Sequence, residues 1–168
     1  YTLRGFLYYQ GEEDDRRPDS YYALLRRLIE CWRWEWHDDE LPFMLVQLPM
    51  FMYKGDTDRK NWCKIREAQM RIFKTVKNTG IAVISDCGEY GNIHPINKKP
   101  VGERLFLQAL YHVYGFKDAD AFGPIYRTHS YRGDGINIIL DNAENGIMVI
   151  GSPDGFEIAG ADKKFYRA

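Results

Sequence analysis

The sequence predicts an α/β fold, a parallel sheet with flanking helices, followed by a partial antiparallel β region. Three observations lead there. Short continuous apolar runs alternate with segments of helical periodicity up to Gly115, the pattern of parallel strands joined by right-handed crossovers. Past Gly115 the chain breaks into short β-type runs separated by Gly, Asp, Asn and Pro. Between these regimes lie the apolar run Gly80 to Ile84, the polar loop Ser85 to Ile96 and the helix-like stretch Lys99 to Tyr114. Open α/β folds put their chemistry at such a strand, loop and helix.

Residues 2 to 9 are rich in Phe, Leu and Tyr and alternate poorly, as in a strand buried on both faces. The charged segment Gln10 to Arg17 leaves that strand. It reads as a solvated turn or, through Gln10 and Gly11 at the strand's end, as a side-chain amide and a backbone donor offered to a ligand. Pro18-Asp19-Ser20 marks a helix start with Asp19 or Ser20 as N-cap, and Leu24, Leu25, Leu28, Ile29 and Trp32 give that helix one apolar face. Trp32 continues this face, so Trp32, Trp34 and Trp36 read as packing ahead of a sugar-stacking platform.

Leu41-Pro42 breaks the helix, and Phe43 to Leu48 is a short apolar run, hence a buried strand. Pro49 to Arg59 is a loop with Gly55, Asp56 and Asp58. Trp62, Ile65, Gln69, Ile72, Phe73 and Val76 trace a second amphipathic helix, ended at Asn78 or Gly80 in a left-handed conformation. A third helix has Pro100 near its first turn and Gly115 past its end, with Val101, Leu105, Ala109, Leu110 and Val113 as its buried stripe. Beyond a boundary between Phe116 and Gly123, the runs 123–126, 135–140, 146–150 and 156–159 read as antiparallel strands. Some 45 residues are few for an independent β domain, so further strands are expected from outside this chain.

Of 168 residues, 45% are hydrophobic and 15% aromatic, ample for a core. Lys and Arg number 23 against 24 Asp and Glu, a net charge of -1, which provides no electrostatic case for nucleic acid. The basic residues are interspersed with acidic ones and no apolar run reaches spanning length, so a membrane is equally unsupported. Cys31, Cys63 and Cys87 have neither metal-pair spacing nor a disulfide framework and read as free, mostly buried thiols. In the central loop, Asp86, Glu89, Asn92 and His94 lie close together, so a base could meet groups able to orient it. A surface or capping histidine is the alternative for His94.

Four segments, in order, resemble one family. Gly5-Phe6-Leu7-Tyr8-Tyr9-Gln10-Gly11-Glu12 resembles the YQGE signature of the sialate O-acetylesterases, serine carbohydrate esterases of the SGNH class, and Arg66-Glu67-Ala68-Gln69 resembles their REAQ. Asn78-Thr79-Gly80-Ile81-Ala82-Val83 through Asp86, Gly88, Ile93-His94-Pro95, Asn97-Lys98 and Pro100 to Leu105 forms the third match, and Gly155 to Asp162 the fourth. Matches spread over nearly the whole chain are specific where each alone is weak.

The resemblance implies an SGNH/flavodoxin-like fold and hydrolysis of an acetyl ester on sialic acid or a related sugar. Acetyl xylan esterase, or a non-catalytic carbohydrate-binding module, is the rival expectation. His94 matches the catalytic histidine, and Gln10 looks like an oxyanion-hole donor beside Gly11. Glu12 and Arg66 are expected to brace the loop by charge pairing. Related sequences often carry Asp where this one has Asn92, so the acid orienting His94 is expected to be Asp86 ahead of Glu89, or the site to run as a dyad.

The family's nucleophile sits in a GQSN-like stretch that does not occur here, and Ser20, Ser85, Ser130 and Ser152 do not match it. Residues 1–117 are therefore expected to be the second half of a hydrolase domain and 118–168 a partial β-rich domain. The serine would come from an upstream segment or second chain, and the open sheet edge implies a partner or a self-paired dimer. Such ester hydrolysis needs no cofactor, and secretion or a periplasmic location is implied by the family alone.

Overall fold

The computed structural model describes residues 2–52, 60–152 and 155–168, and it divides into two units, Tyr1–Ala121 and Phe122–Ala168. The expected loop residues Gly55, Asp56 and Asp58 lie outside the described residues. In the first unit the order is β1 (Phe6–Tyr8), a 3-10 turn (Glu13–Arg16), α1 (Pro18–Glu35), β2 (Phe43–Gln47), α2 (Lys60–Thr75), β3 (Thr79–Val83) and α3 (Lys99–His112). The strands form one parallel sheet in the order β1, β2, β3, with Phe6 beside Phe43 and Phe43 beside Thr79.

β2 is the central strand and is buried along its whole length. Its odd-numbered residues Phe43 and Leu45 join Ile29 of α1 and Ile65 and Ile72 of α2 in one core; Val46, Ala82, Ile84 and Val101 of α3 form a second. Alternation across the pleat puts successive residues on opposite faces, so one sheet serves both layers. Phe6, Tyr8, Trp32 and Phe43 make the aromatic cluster that ties α1 to the sheet, with ring centroids 4.7 to 6.2 Å apart. Each such pair contributes about 0.5–1.5 kcal/mol beyond its buried area. The packing role expected for Trp32 is thus observed, whereas Trp34 is 67% exposed.

Several local expectations are corrected. β1 is three residues long and its Leu7 is 66% exposed, because among the described residues only β2 flanks it and only the Phe6/Tyr8 face is covered. α1 begins at Pro18 after Arg17, with no side-chain cap; Ser20 Oγ instead donates back to the Arg17 carbonyl at 2.9 Å. Cys31 and Cys63 are exposed, being on the solvent faces of α1 and α2. In α3 the fully buried residues are Val101 and Gln108. Gln108 accepts the Ile81 N–H at 3.0 Å and donates to the Ala121 carbonyl, so a side chain occupies the outer edge of β3. Asn78 does take the left-handed conformation (φ 52°) ahead of β3.

A buried arginine locks the end of the sheet opposite the site. Arg33, 7% exposed, donates to the carbonyls of Leu41 (2.9 Å), Lys77 (2.8 Å) and Asn78 (3.2 Å). It joins the end of α1 to the approaches of β2 and β3. Burial lowers its pKa, opposed by the charges of Glu40, Asp38 and Asp39.

The second unit holds two antiparallel pairs, β4 (Ile125–Arg132) with β5 (Gly135–Asp141), and β6 (Glu157–Ala159) with β7 (Phe165–Arg167). The run 146–150 is not a strand, and β7 is one that the sequence reading missed. Within β4 the Tyr126 hydroxyl and His129 Nδ1 share a 2.6 Å hydrogen bond across a register shift between Tyr126 and Thr128.

Candidate active site

The segments leaving the carboxyl ends of β1 and β3 build the site, the end at which open α/β sheets place their ligands. After β1 come Gln10 and Gly11; after β3 comes the loop that carries His94. They meet at an open cleft of about 610 Å³, walled by Tyr9, Gln10, Glu12 and Glu13 from the first segment and by Ile93, His94 and Lys98 from the second. His94 and Gln10, far apart in the chain, thus line one space.

The histidine loop is braced by its own polar groups. Glu89 accepts the Asn92 Nδ2–H at 2.9 Å and the Ile96 N–H at 2.7 Å, which lowers the Glu89 pKa, the backbone bond most. Asn92 Oδ1 in turn accepts the backbone N–H of His94 at 2.9 Å. Gly88 is needed for close packing: a Cβ there would lie 2.5 Å from the Met50 carbonyl oxygen and 2.8 Å from Pro49 Cβ. Glu89 and Asn92 therefore hold the backbone that presents the imidazole, and among the described residues no hydrogen bond or ion pair reaches the ring itself.

Asp86, expected first as the acid partner, is engaged by Arg104 in a bidentate pair at 2.5 and 2.7 Å, and Arg104 also donates to the Val83 carbonyl at 2.7 Å. Those hydrogen bonds hold the Asp86 carboxyl down to about 2 against the opposing effect of burial. A folded-state value below the unfolded one adds stability above the ordinary carboxylate range that is lost as the pH falls toward that value. The thermal midpoint should therefore fall more steeply for wild type than for Asp86→Asn as the pH drops from about 5 to 2. The effect is modest because the Asp86 side chain is 63% exposed. Superimposable profiles would remove this role.

On the other wall, the Gln10 amide donates to Asp14 Oδ2 at 2.6 Å and accepts from the Tyr8 hydroxyl at 2.8 Å. One amide N–H suffices for Asp14, which leaves the second for a ligand. No ion pair joins Glu12 to Arg66 among the described residues, so the expected charge brace is not formed. Arg66 serves through its backbone carbonyl, which accepts from Gln47 Nε2 at 2.9 Å.

Two cleft residues escaped sequence reasoning. The Tyr9 hydroxyl is shielded with no hydrogen-bond partner among the described residues, and burial, with the charge of Glu12 and then Cys87 adding, pushes the phenol up to about 12, so it stays protonated. Lys98 sets its ammonium 4.9 Å from the centre of the Tyr9 ring. The Asn97-Lys98 pair in the third family-like segment was the available signal for Lys98, and the first residue of the YQGE-like stretch was the signal for Tyr9. Among the described residues no group of three His, Cys, Asp or Glu side chains is arranged to hold a metal.

Comparison with known proteins gives this geometry its context. Residues 1–101 match the model of the carbohydrate esterase, sialic acid-specific acetylesterase family. The chain is 36% identical to mouse sialate O-acetylesterase and 34% identical to the human one, alignments that take in 74% of this chain and 26% and 27% of those proteins. It spans about a quarter of their length. A crystal structure of a carbohydrate acetylesterase from Xanthomonas citri superposes with a TM-score of 0.87 at 33% identity, over 99% of this chain and 39% of that one. Its match extends through both units, in keeping with a partial SGNH-type sheet followed by antiparallel strands. With the family model matched across the strands, helices and loops that build the cleft, the chain belongs to the sialic acid-specific acetylesterase family of carbohydrate esterases.

Proposed function

We propose that the protein to which this chain belongs hydrolyses O-acetyl esters of an acidic sugar, sialic acid or a close relative, with His94 as general base and Gln10 as oxyanion donor. The observation that carries the reading is the meeting of His94 and Gln10 at one cleft. In the reaction, a serine supplied by an upstream segment or a second chain gives its proton to the imidazole and attacks the acetyl carbonyl. The Gln10 amide stabilises the oxyanion. The imidazolium then protonates the departing sugar oxygen as its bond to the acetyl carbon breaks, giving the free hydroxyl and an acetyl-serine, and water, activated by the same imidazole, releases acetate and restores the serine. Asp86, bound to Arg104, acts in the architecture of the loop, and His94 works with the serine as a dyad.

Lys98 supports an acidic sugar over a neutral one such as acetylated xylan. Its ammonium lines the cleft outside any close ion pair among the described residues, acting on the Glu89 carboxylate only through space, while Glu13 on the facing wall is paired with Arg16 at 3.1 Å. In the intact protein, Lys98→Gln should raise KM for acetylated sialic acid about 10-fold and leave that for an aryl acetate within about twofold, as loss of one charge-assisted contact predicts. Equal effects on both would remove the charge argument.

Fluorophosphonate labelling of the intact protein, followed by peptide mapping, tests the mechanism. A label on a serine outside this chain is the expected result. No label, with the remainder of the protein present, would favour a non-catalytic sugar-binding role.

A further inference from the structure

We propose that Gln69 and Tyr21 are positioning residues that clamp the Gln10–Gly11 peptide and so hold the Gln10 side-chain amide at the cleft, facing the oxyanion; this rests on the esterase reading above. Both side chains are almost wholly buried, at 1% and 3% exposure. The Gln10 carbonyl accepts the Tyr21 hydroxyl at 3.0 Å and Gln69 Nε2 at 3.2 Å, and Gln69 Nε2 also donates to the Tyr21 oxygen at 3.3 Å. Gln69 Oε1 meanwhile accepts the Leu48 N–H at 2.9 Å, just past the end of β2. A single side chain on α2 thereby fixes the carboxyl end of the central strand and the loop after β1 in one register.

Buried polar networks of this kind hold their geometry because each lost partner leaves a desolvated group unpaired. The peptide is trans, and in a trans unit the N–H points opposite to the C=O. With the Gln10 carbonyl drawn toward α1 and α2, the Gly11 N–H is directed away from them, and among the described residues nothing accepts it. Gly11 itself is required by the clamp: its φ is 141°, and a Cβ would lie 2.9 Å from the Tyr21 oxygen and 3.1 Å from Gln69 Nε2. Burial raises the Tyr21 pKa, with the Gln69 hydrogen bond opposing it, so the hydroxyl stays a donor.

The test uses the intact protein and p-nitrophenyl acetate, with Tyr21→Phe, Gln69→Met, Gln10→Ala and the pairwise combinations. Each clamp variant should lower kcat roughly 10-fold with KM within about twofold, less than the ~10²-fold that removal of an oxyanion donor costs. In the Gln10→Ala background the same changes should cost much less, since coupled residues are non-additive. Unchanged kcat, a loss confined to KM, or full additivity with Gln10→Ala overturns the clamp. Gln69→Met also strands the Leu48 N–H, so Tyr21→Phe, which deletes one hydroxyl, is the variant that preserves the fold. The 15N order parameter of Gly11 supplies a readout independent of turnover and should fall in both variants. If wild type shows no hydrolysis, the esterase reading fails, and the order parameter alone judges the clamp: a drop supports it and an unchanged value overturns it.

Discussion

His94→Ala in the intact protein is expected to abolish acetyl release, with kcat down by at least ~10³-fold, the scale of losing a general base that serves both halves of an acyl transfer. Stability should not change. The imidazole is exposed and makes no hydrogen bond among the described residues, whereas the bond that holds this position, from its backbone N–H to Asn92 Oδ1, survives in alanine. The contrast with Asn92→Ala is informative, because that change removes both the His94 contact and the Glu89 contact and should lower kcat through loop disorder while rescuing nothing. Steady-state kinetics and thermal melts on the two variants separate the roles. A His94→Ala protein that keeps a tenth of wild-type turnover would end the general-base proposal.

The largest effect on stability is expected at Arg33, remote from the chemistry. Arg33→Ala strands the carbonyls of Leu41 and Lys77, takes one donor from Asn78 and leaves a cavity beneath the turn between α2 and β3. Asn78 O still accepts the Phe43 N–H at 2.9 Å, so that group is not left bare. Hydrogen bonds from a charged donor, with their buried acceptors left unpaired, put the cost at about 3–5 kcal/mol. The denaturation midpoint should fall accordingly, whereas Arg26→Ala, which breaks only exposed contacts with Glu30 and Tyr22, should leave it nearly unchanged. Equal midpoints for the two variants would refute the assignment of Arg33 as the lock of the sheet's amino end.

The same positions mark where sequence reasoning carries and where it stops. β2 and α2 were legible because their burial is nearly complete or strictly periodic: every residue from Phe43 to Gln47 is buried, and Trp62, Ile65, Gln69 and Ile72 line one face. α3 was misjudged, since a stripe of Val, Leu and Ala predicts an apolar face but carries no sign that Gln108 would bind the β3 edge. The short strand β1 was overestimated because aromatic content signals apolar area without saying how many neighbours will cover it.

At the site, local order in the chain determined one half of the chemistry: a strand, a polar loop and a histidine put His94 at the carboxyl end of β3, and the strand before Gln10 put that amide at the matching end of β1. Only the tertiary structure decided the partners. Asp86 belongs to Arg104, Asn92 to the His94 backbone, and Gln69 to Gln10, because a side chain's hydrogen bonds go to whichever groups packing brings within about 3 Å, and those distances depend on how helices seat on the sheet, which residue type and spacing do not encode.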